Sequence, residues 1–257
     1  MNIVAIETAT ETVGVAVRTG AGVQAEFVLT GRRRHVESLA PALEHLLAQV
    51  GLAAPDLEAI AVDLGPGLFT GLRVGVAAAK GLAQALGLGI VGLSSLDILT
   101  SAAQRAGHRG LVLAAVDARR GEVFVSGRDI GGPGDGSDEH GSNEHWSSEV
   151  IAPRLVAPDA LGALLAPLEG RPVLAVGDGA QRYAEVLGAL PGVSCVMDAL
   201  SFPPPATLLA LASVYLEEGG APVAPDLAVP LYMREADATS NFARFDSPQS
   251  PPAARPA

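Results

Sequence analysis

The chain has 257 residues and carries 17 Lys and Arg against 28 Asp and Glu, which gives a formal net charge of −11. Its hydrophobic content of 49% excludes a disordered chain, and its length predicts one large or two modest domains. The acidic charge argues against a protein that grips nucleic acid alone, and the single cysteine, Cys195, excludes a disulfide framework or a thiolate metal cluster.

The first 50 residues predict three strands and a helix. Residues 3–6 form a short apolar run, valines then alternate from Val13 to Val17, and residues 23–29 can add a third strand. The start lacks the basic and apolar layout of a signal peptide, and no later apolar run is long enough for a membrane span, so we expect a soluble cytoplasmic protein. Apolar residues from Val36 to Val50 fall on one helical face, with Ser38 as a candidate cap.

The next segment predicts a strand, a glycine-rich turn and a second helix. A buried strand at residues 59–62 leads into the sequence GPGLFTG at 65–71. A helix of mostly small residues should run from about Leu72 to Leu86 and end at Gly87, since glycine is the usual residue after a helix end. A strand at residues 90–93 and a helix at about 96–106 follow.

The opening pattern then recurs. Residues 111–116 predict an apolar strand that ends in Asp117, a turn follows, and valines at 123 and 125 mark a returning strand. Glu7 and Asp117 thus occupy equivalent places in two strand-turn-strand units, which predicts two related halves. We place a first domain at residues 1–106 and a second at 107–239, in an α/β fold with mixed sheets.

Two segments contain few apolar side chains that could be buried in a core. Residues 129–148 are rich in Gly, Ser, Asp, Glu and His and should form a mobile loop within the second domain. The tail at residues 240–257 is rich in Pro, Ser and Ala and should be disordered. Between them we expect a strand at residues 173–176 and a helix at about 206–218.

Three features could carry chemistry, and each has a structural alternative. The glycine segment lies where backbone N–H groups can bind an anion, or it is only a tight turn that allows close packing. Glu7 and Asp117 could hold a divalent cation and its phosphates, or each could cap a hairpin turn and face solvent. His140 and His145 could trap a metal in the polar loop, but a solvated loop explains them as well.

The two helices also allow two interpretations. If the rest of the chain covers both sides of each helix, the apolar residues belong to the ordinary hydrophobic core. If a sheet covers only one side of each, the other side can form an interface with a partner helix.

The motifs, in their order along the chain, resemble the TsaB (YeaZ) family. They are IETAT at residues 6–10, GPGLFTGLRVG at 65–75, KGLA at 80–83, VDARRGEVF at 116–124 and PLYMR at 230–234. The resemblance implies two RNase-H-like domains of the actin/Hsp70/sugar-kinase type. It also implies a non-catalytic subunit, without a cofactor, of the bacterial complex that forms N6-threonylcarbamoyladenosine in tRNAs reading codons that begin with A.

The resemblance further implies partners and site residues. The partners are a TsaD-like catalytic subunit, a TsaE-like ATPase, and tRNA only through the complex, while a homodimer of the chain alone stays open. The partner surface would be formed by apolar residues of the two helices: Val36, Leu39, Leu43, Leu46, Leu47, Val50, Val74, Ala78, Leu82 and Ala85. Weak nucleotide contact would involve the first hairpin, the glycine segment and the second carboxylate: Glu7, Thr8, Thr10, Gly65, Gly67, Thr70 and Asp117.

Two other activities are alternatives. TsaD proteins carry a metal-binding His-x-x-x-His, and its histidines fall on Ser95 and Leu99 here, which argues against a metallopeptidase and predicts no metal site. An active ATPase or phosphotransferase of the same fold would need Glu7, Thr10 and Asp117 to hold magnesium and phosphate.

Overall fold

The computed structural model of the chain describes residues 1–31, 35–131, 148–168, 170–196 and 200–232. Two five-stranded mixed sheets form its framework. The strands are β1 (Ile3–Glu7), β2 (Thr12–Arg18), β3 (Gln24–Thr30), β4 (Ala59–Asp63), β5 (Ile90–Leu93), β6 (Gly110–Arg119), β7 (Glu122–Ile130), β8 (Ser148–Val156), β9 (Val173–Val176) and β10 (Val193–Val196).

The two sheets share one topology. The first has the order β3-β2-β1-β4-β5 and the second β8-β7-β6-β9-β10. In each, three antiparallel strands are extended by two parallel ones, so β1 corresponds to β6 and Glu7 to Asp117. The predicted repeat and the α/β fold class are therefore confirmed. Strands β8 and β10 were not predicted; β8 contains a proline, is largely exposed and shows no clear alternation.

Seven α-helices lie in the described part of the chain. They are α1 (His35–Gln49), α2 (Phe69–Leu86), α3 (Ser95–Arg105), α4 (Leu161–Leu165), α5 (Asp178–Arg182), α6 (Ala184–Gly188) and α7 (Pro205–Glu217). Helix α2 ends as predicted, at Gly87 with a φ of +68°. In this part of the molecule every helix is too short or too polar to cross a bilayer.

Helix α1 differs from the prediction at its start. It begins at His35, so Pro41 lies inside the helix and Ser38 is not its cap. Proline within a helix removes one backbone hydrogen bond. The helix tolerates this loss because Leu39 and Ala42, on either side of the proline, are both buried against the core.

The first sheet is covered on both faces. Helix α1 packs on β2 and β3, and α2 packs mainly on β4 beside it. Helix α7 comes from the C-terminal half of the chain and covers the opposite face, where Leu208, Leu209 and Ala212 join a core cluster with Ile3 and Ala5. Its first turn is held by Glu26 of β3, whose carboxylate accepts a hydrogen bond from the Ala206 N–H at 3.0 Å.

After α7 the chain returns to the first sheet as a segment at residues 222–232, here called the C-terminal strap, which contains one 3-10 turn at Pro225–Leu227. Val223 and Ile90 exchange two backbone hydrogen bonds of 2.9 Å, so the strap covers the edge of β5. The Leu231 N–H donates to the Leu64 carbonyl at 2.7 Å, and Ala228 is buried in the core under α2. The strap therefore fixes the chain's last described residues beside α2.

Candidate functional site

A pair of carboxyl groups lies at the edge of the first sheet. Glu7 ends β1 and Asp63 ends β4, and the two strands run parallel side by side. Their side chains are 0% and 1% exposed. Glu7 Oε1 accepts a hydrogen bond from the Ala9 N–H at 2.9 Å, whereas no N–H or hydroxyl donor in the described part of the chain reaches Glu7 Oε2. The carboxyl group of Asp63 is the neighbour of that free end.

Asp63 is bound on its other side. Its Oδ1 accepts the Gly65 N–H at 2.6 Å, and Ser95 Oγ lies 2.7 and 2.8 Å from its two carboxyl oxygens. Burial raises the pKa of both acids, and the charge of Asp63 raises that of Glu7 further. Because burial disfavours the charged form, both acids keep their protons to a higher pH than they would in water.

The second sheet presents a different arrangement at the equivalent place. Asp117 Oδ1 accepts the Arg119 N–H at 2.9 Å, and its Oδ2 lies 3.0 Å from Arg119 Nη1 and 3.5 Å from Arg182 Nη1. The Asp117 N–H donates to Asp178 Oδ1 at 2.9 Å. Burial, together with the Asp117 charge, raises the pKa of Asp178 to about 6. Asp117 is thus neutralised by two guanidinium groups.

Both sequence interpretations of Glu7 and Asp117 need revision. Each residue does cap its hairpin turn, as the structural alternative expected. Neither faces solvent, however, because Asp117 is 3% exposed and Glu7 is fully buried. The structure brings Glu7 to Asp63, and Asp117 to Arg119 and Arg182.

An ion pair joins the two hairpin turns. Arg119 Nη2 lies 2.6 Å from Glu11 Oε1, which connects the turn of the second sheet to that of the first. Arg119 and Arg120 have φ values of +62° and +53°, in the left-handed region that residues with a side chain seldom adopt. This backbone directs the Arg119 side chain toward Asp117 and Glu11.

The glycine segment packs tightly against the first hairpin turn. A Cβ on Gly67 would overlap the Ala9 carbonyl, one on Gly71 the Thr8 carbonyl, and one on Gly75 the Thr8 hydroxyl. Thr8 Oγ1 donates to the Gly71 carbonyl at 2.8 Å. The glycines therefore allow the turn and α2 to approach within backbone contact, as the tight-packing interpretation expects.

The other predicted nucleotide contacts are mostly enclosed. Thr8 and Thr10 are buried, and Thr10 Oγ1 is 2.9 Å from Thr12 Oγ1. Gly65 is buried as well, whereas Thr70 is exposed on the first turn of α2. Weak nucleotide binding stays a prediction.

The predicted partner surface is divided by burial. Leu39, Leu46 and Leu47 are buried in the chain's own core. Val36 and Ala85 are exposed. The remaining five are partly buried, with one side on the core and one side accessible: Leu43, Val50, Val74, Ala78 and Leu82. On the folded chain, a partner could contact only the two exposed residues and the five partly buried ones.

An aromatic cluster that sequence reasoning missed adjoins this surface. A cleft of about 450 Å³ separates the starts of α1 and α2 and is lined by His35, Val36, Glu37, Leu68, Phe69, Thr70, Gly71 and Val74. The Arg73 guanidinium lies 3.7 Å from the centre of the Phe69 ring. The Tyr232 ring centre is 5.7 Å from that of Phe69. Only the position of Tyr232 in the PLYMR motif hinted at a special role.

The residues considered for metal binding occupy other places. Ser95 contacts Asp63, and Leu99 is buried in the core of the second sheet. Within the described residues no three His, Cys, Asp or Glu side chains are grouped as a metal site. His140 and His145, most of the predicted loop at 129–148 and the tail at 240–257 lie outside the described residues.

Asp63 was also missed, although the sequence held a signal for it. It follows the predicted strand at residues 59–62, and the carboxyl ends of parallel strands meet at one edge of a sheet. The contact between Asp63 and Glu7 could be predicted only if β1 and β4 were known to be neighbours. The sequence around Asp63 does not contain that information.

The chain is similar to known proteins over most of its length. The family model described as "TsaD: tRNA N6-adenosine threonylcarbamoyltransferase" matches residues 19–242. The tRNA threonylcarbamoyladenosine biosynthesis protein TsaB of Escherichia coli K12 is 40% identical over 124 residues, which cover 48% of this chain and 53% of that protein. TsaB of Bacillus subtilis 168 is 40% identical over 125 residues, covering 49% and 54%. These alignments span about half the length of the curated relatives.

A solved structure agrees with the fold. A Pseudomonas aeruginosa protein described as similar to peptidase YEAZ superposes with a TM-score of 0.75 at 27% identity. The superposition covers 91% of this chain and 99% of that one. The likeness thus includes both sheets.

Proposed function

Because the chain belongs to the TsaB (YeaZ) family of tRNA threonylcarbamoyladenosine biosynthesis proteins, within the wider TsaD family, we propose that it is the non-catalytic scaffold subunit of that pathway's complex. In this role it dimerises with a TsaD-like catalytic subunit and supports the binding of a TsaE-like ATPase. The modified product is N6-threonylcarbamoyladenosine in tRNAs that read codons beginning with A. The complex works in the cytoplasm, where it meets tRNA.

One observation carries the non-catalytic part of the proposal. Each acid that could serve a phosphotransferase is already engaged within the chain. Glu7 is fully buried beside Asp63, and Asp117 is paired with Arg119 and Arg182. A cation at Asp117 would have to displace two guanidinium groups, and one at Glu7 would have to enter a site closed to solvent.

The positions of Ser95 and Leu99 support the same conclusion. These residues stand where the family's catalytic members have metal-binding histidines. A serine hydroxyl held by Asp63 and a leucine packed in the core supply no imidazole ligand.

A reconstituted modification reaction tests the proposal. The wild-type chain is mixed with the TsaD-like and TsaE-like proteins of the same organism, unmodified tRNA, ATP, threonine, bicarbonate and the enzyme that makes threonylcarbamoyl-adenylate. We expect threonylcarbamoyladenosine only when the chain and the TsaD-like protein are both present. The Asp117→Ala variant should support product formation about as well as the wild type if it is folded.

Two results would overturn this function. One is tRNA modification by the chain without the TsaD-like protein. The other is ATP turnover by the purified chain that disappears in the Asp117→Ala variant, since this would point to an active ATPase of the same fold.

A further inference from the structure

The C-terminal strap exposes a row of apolar side chains. Leu227, Val229 and Leu231 are 65%, 56% and 43% exposed, and the adjoining Tyr232 is 51% exposed. Ala228 between them is buried in the core. Leu227 ends a 3-10 turn and Ala228 is extended, so the buried Ala228 lies between side chains that are accessible. Both kinds of side chain are apolar, and residues 227–232 carry no charge.

The strap runs along α2 from one end to the other. Lys80 Nζ donates to the Asp226 carbonyl at 3.3 Å in the second half of the helix. Arg73 Nε donates to the Tyr232 hydroxyl, also at 3.3 Å, in the first half. The strap and α2 therefore lie side by side over several helical turns.

The strap continues the surface formed by the two helices. On one face of the first sheet, α1 lies over β2 and β3, α2 lies over β4, and the strap pairs with the edge strand β5. Val36 of α1 and Phe69 of α2 line the same cleft, and Phe69 contacts Tyr232 of the strap. One accessible surface thus extends across all three elements, and it is apolar except for Glu37, Thr70 and Arg73 where the elements meet.

The helices alone offer little of this surface. Of their ten apolar candidates, three are buried in the core and five are partly covered by it. A stable interface buries on the order of 800 Å² on each partner. A Phe or Tyr side chain carries roughly 150–250 Å², so the half-exposed Phe69 and Tyr232, with the three aliphatic residues of the strap, make up much of what the helices lack.

We propose that the C-terminal strap, together with Phe69, is the third element of the surface that binds the TsaD-like subunit. Its occupant is an uncharged apolar face of that subunit, continuous with the face that receives α1 and α2. The inference rests on the proposed function, and it assigns to Leu231 and Tyr232 of the PLYMR motif a direct role in recognition.

Affinity measurements on matched variants test this inference. Val229→Ser removes an apolar side chain from the strap, and Val28→Ser removes a similarly exposed one, at 50%, from β3 on the opposite side of the sheet. Calorimetric titration with the TsaD-like protein measures Kd for each variant. We expect the double variant Leu227→Ser/Val229→Ser to raise Kd at least tenfold and Val28→Ser to change it less than twofold. Thermal unfolding and sedimentation of each variant alone report folding and self-association.

The outcomes separate the two proposals. If the wild-type chain fails to bind the TsaD-like protein, the proposed function itself is wrong. If the wild type binds, Ala78→Arg on α2 abolishes binding and the double strap variant binds normally, the function stands and the role of the strap is refuted. A strap variant that changes only the self-association of the chain would assign the strap to a second copy and also refute the inference.

Discussion

At the scale of single residues, the buried pair of Glu7 and Asp63 is the least expected feature. Its folded-state pKa values are raised, so each acid ionises more readily in the unfolded chain. In the unfolded chain the two acids have a pKa of about 4. Below that pH they are protonated in both the folded and the unfolded state, and they do not lower the free energy of unfolding. As the pH rises, the unfolded chain releases protons first, and the folded state loses stability until the folded pKa is passed.

This linkage predicts that Glu7→Gln stabilises the protein at neutral pH. The glutamine Oε1 can still accept the Ala9 N–H, and its neutral amide avoids the cost of burying a charge beside Asp63. We expect the free energy of unfolding to rise by about 1–2 kcal/mol at pH 8 and to change little at pH 4.5. Urea unfolding at both pH values measures it, and a loss of stability at pH 8 would contradict the raised pKa of Glu7.

At the scale of elements, the contact between α2 and the first hairpin turn depends on Gly75, and Gly81 of the same helix provides a comparison. Gly75 faces the Thr8 hydroxyl without room for a Cβ, whereas Gly81, in the same helix, has open space around it. Gly75→Ala should therefore lower the free energy of unfolding by about 1–3 kcal/mol through overpacking. Gly81→Ala should raise it by up to about 1 kcal/mol, because alanine favours helix. Chemical denaturation compares the pair, and equal effects would refute the packing argument.

The accessible side of α2 gives a second prediction at this scale. Ala78 is partly buried, and an arginine there would place a charge in the proposed helix contact with the TsaD-like subunit. We expect Ala78→Arg, and likewise Leu43→Arg on α1, to weaken the complex by several kcal/mol without unfolding the chain. Size-exclusion chromatography of the mixed proteins tests this. Ala189 is exposed at the C-terminal end of α6, so Ala189→Arg is the matched control.

Some of these elements could be predicted from the sequence alone, and others could not. The repeated strand-turn-strand units and the C-terminal end of α2 followed from apolar periodicity and from Gly87, which are local signals, whereas α2 starts at Phe69 and not at about Leu72. Strand β8 could not be found in this way, because its neighbour β7, rather than its own pattern, makes it a strand. Asp63 and Tyr232 were missed as site residues because each gains its role from a residue distant in sequence, Glu7 in one case and Phe69 in the other.

At the scale of the whole molecule, the net charge of −11 limits what the chain can bind alone. A surface with this charge repels the tRNA backbone. We expect filter binding at 0.15 M salt to retain tRNA at least tenfold more weakly with the chain alone than with the reconstituted complex. Equal retention by both would show that the chain carries its own tRNA site.

Helix α7 has a consequence for how this protein is made. The last strand of the first sheet ends at Leu93, but the helix that covers one of its faces begins at Pro205. A ribosome must therefore synthesise the whole second sheet before Ile3, Ala5 and Ala61 can be shielded from water. Until α7 has been synthesised, the amino-terminal half exposes one hydrophobic face to water. Its solubility during translation therefore depends on chaperones.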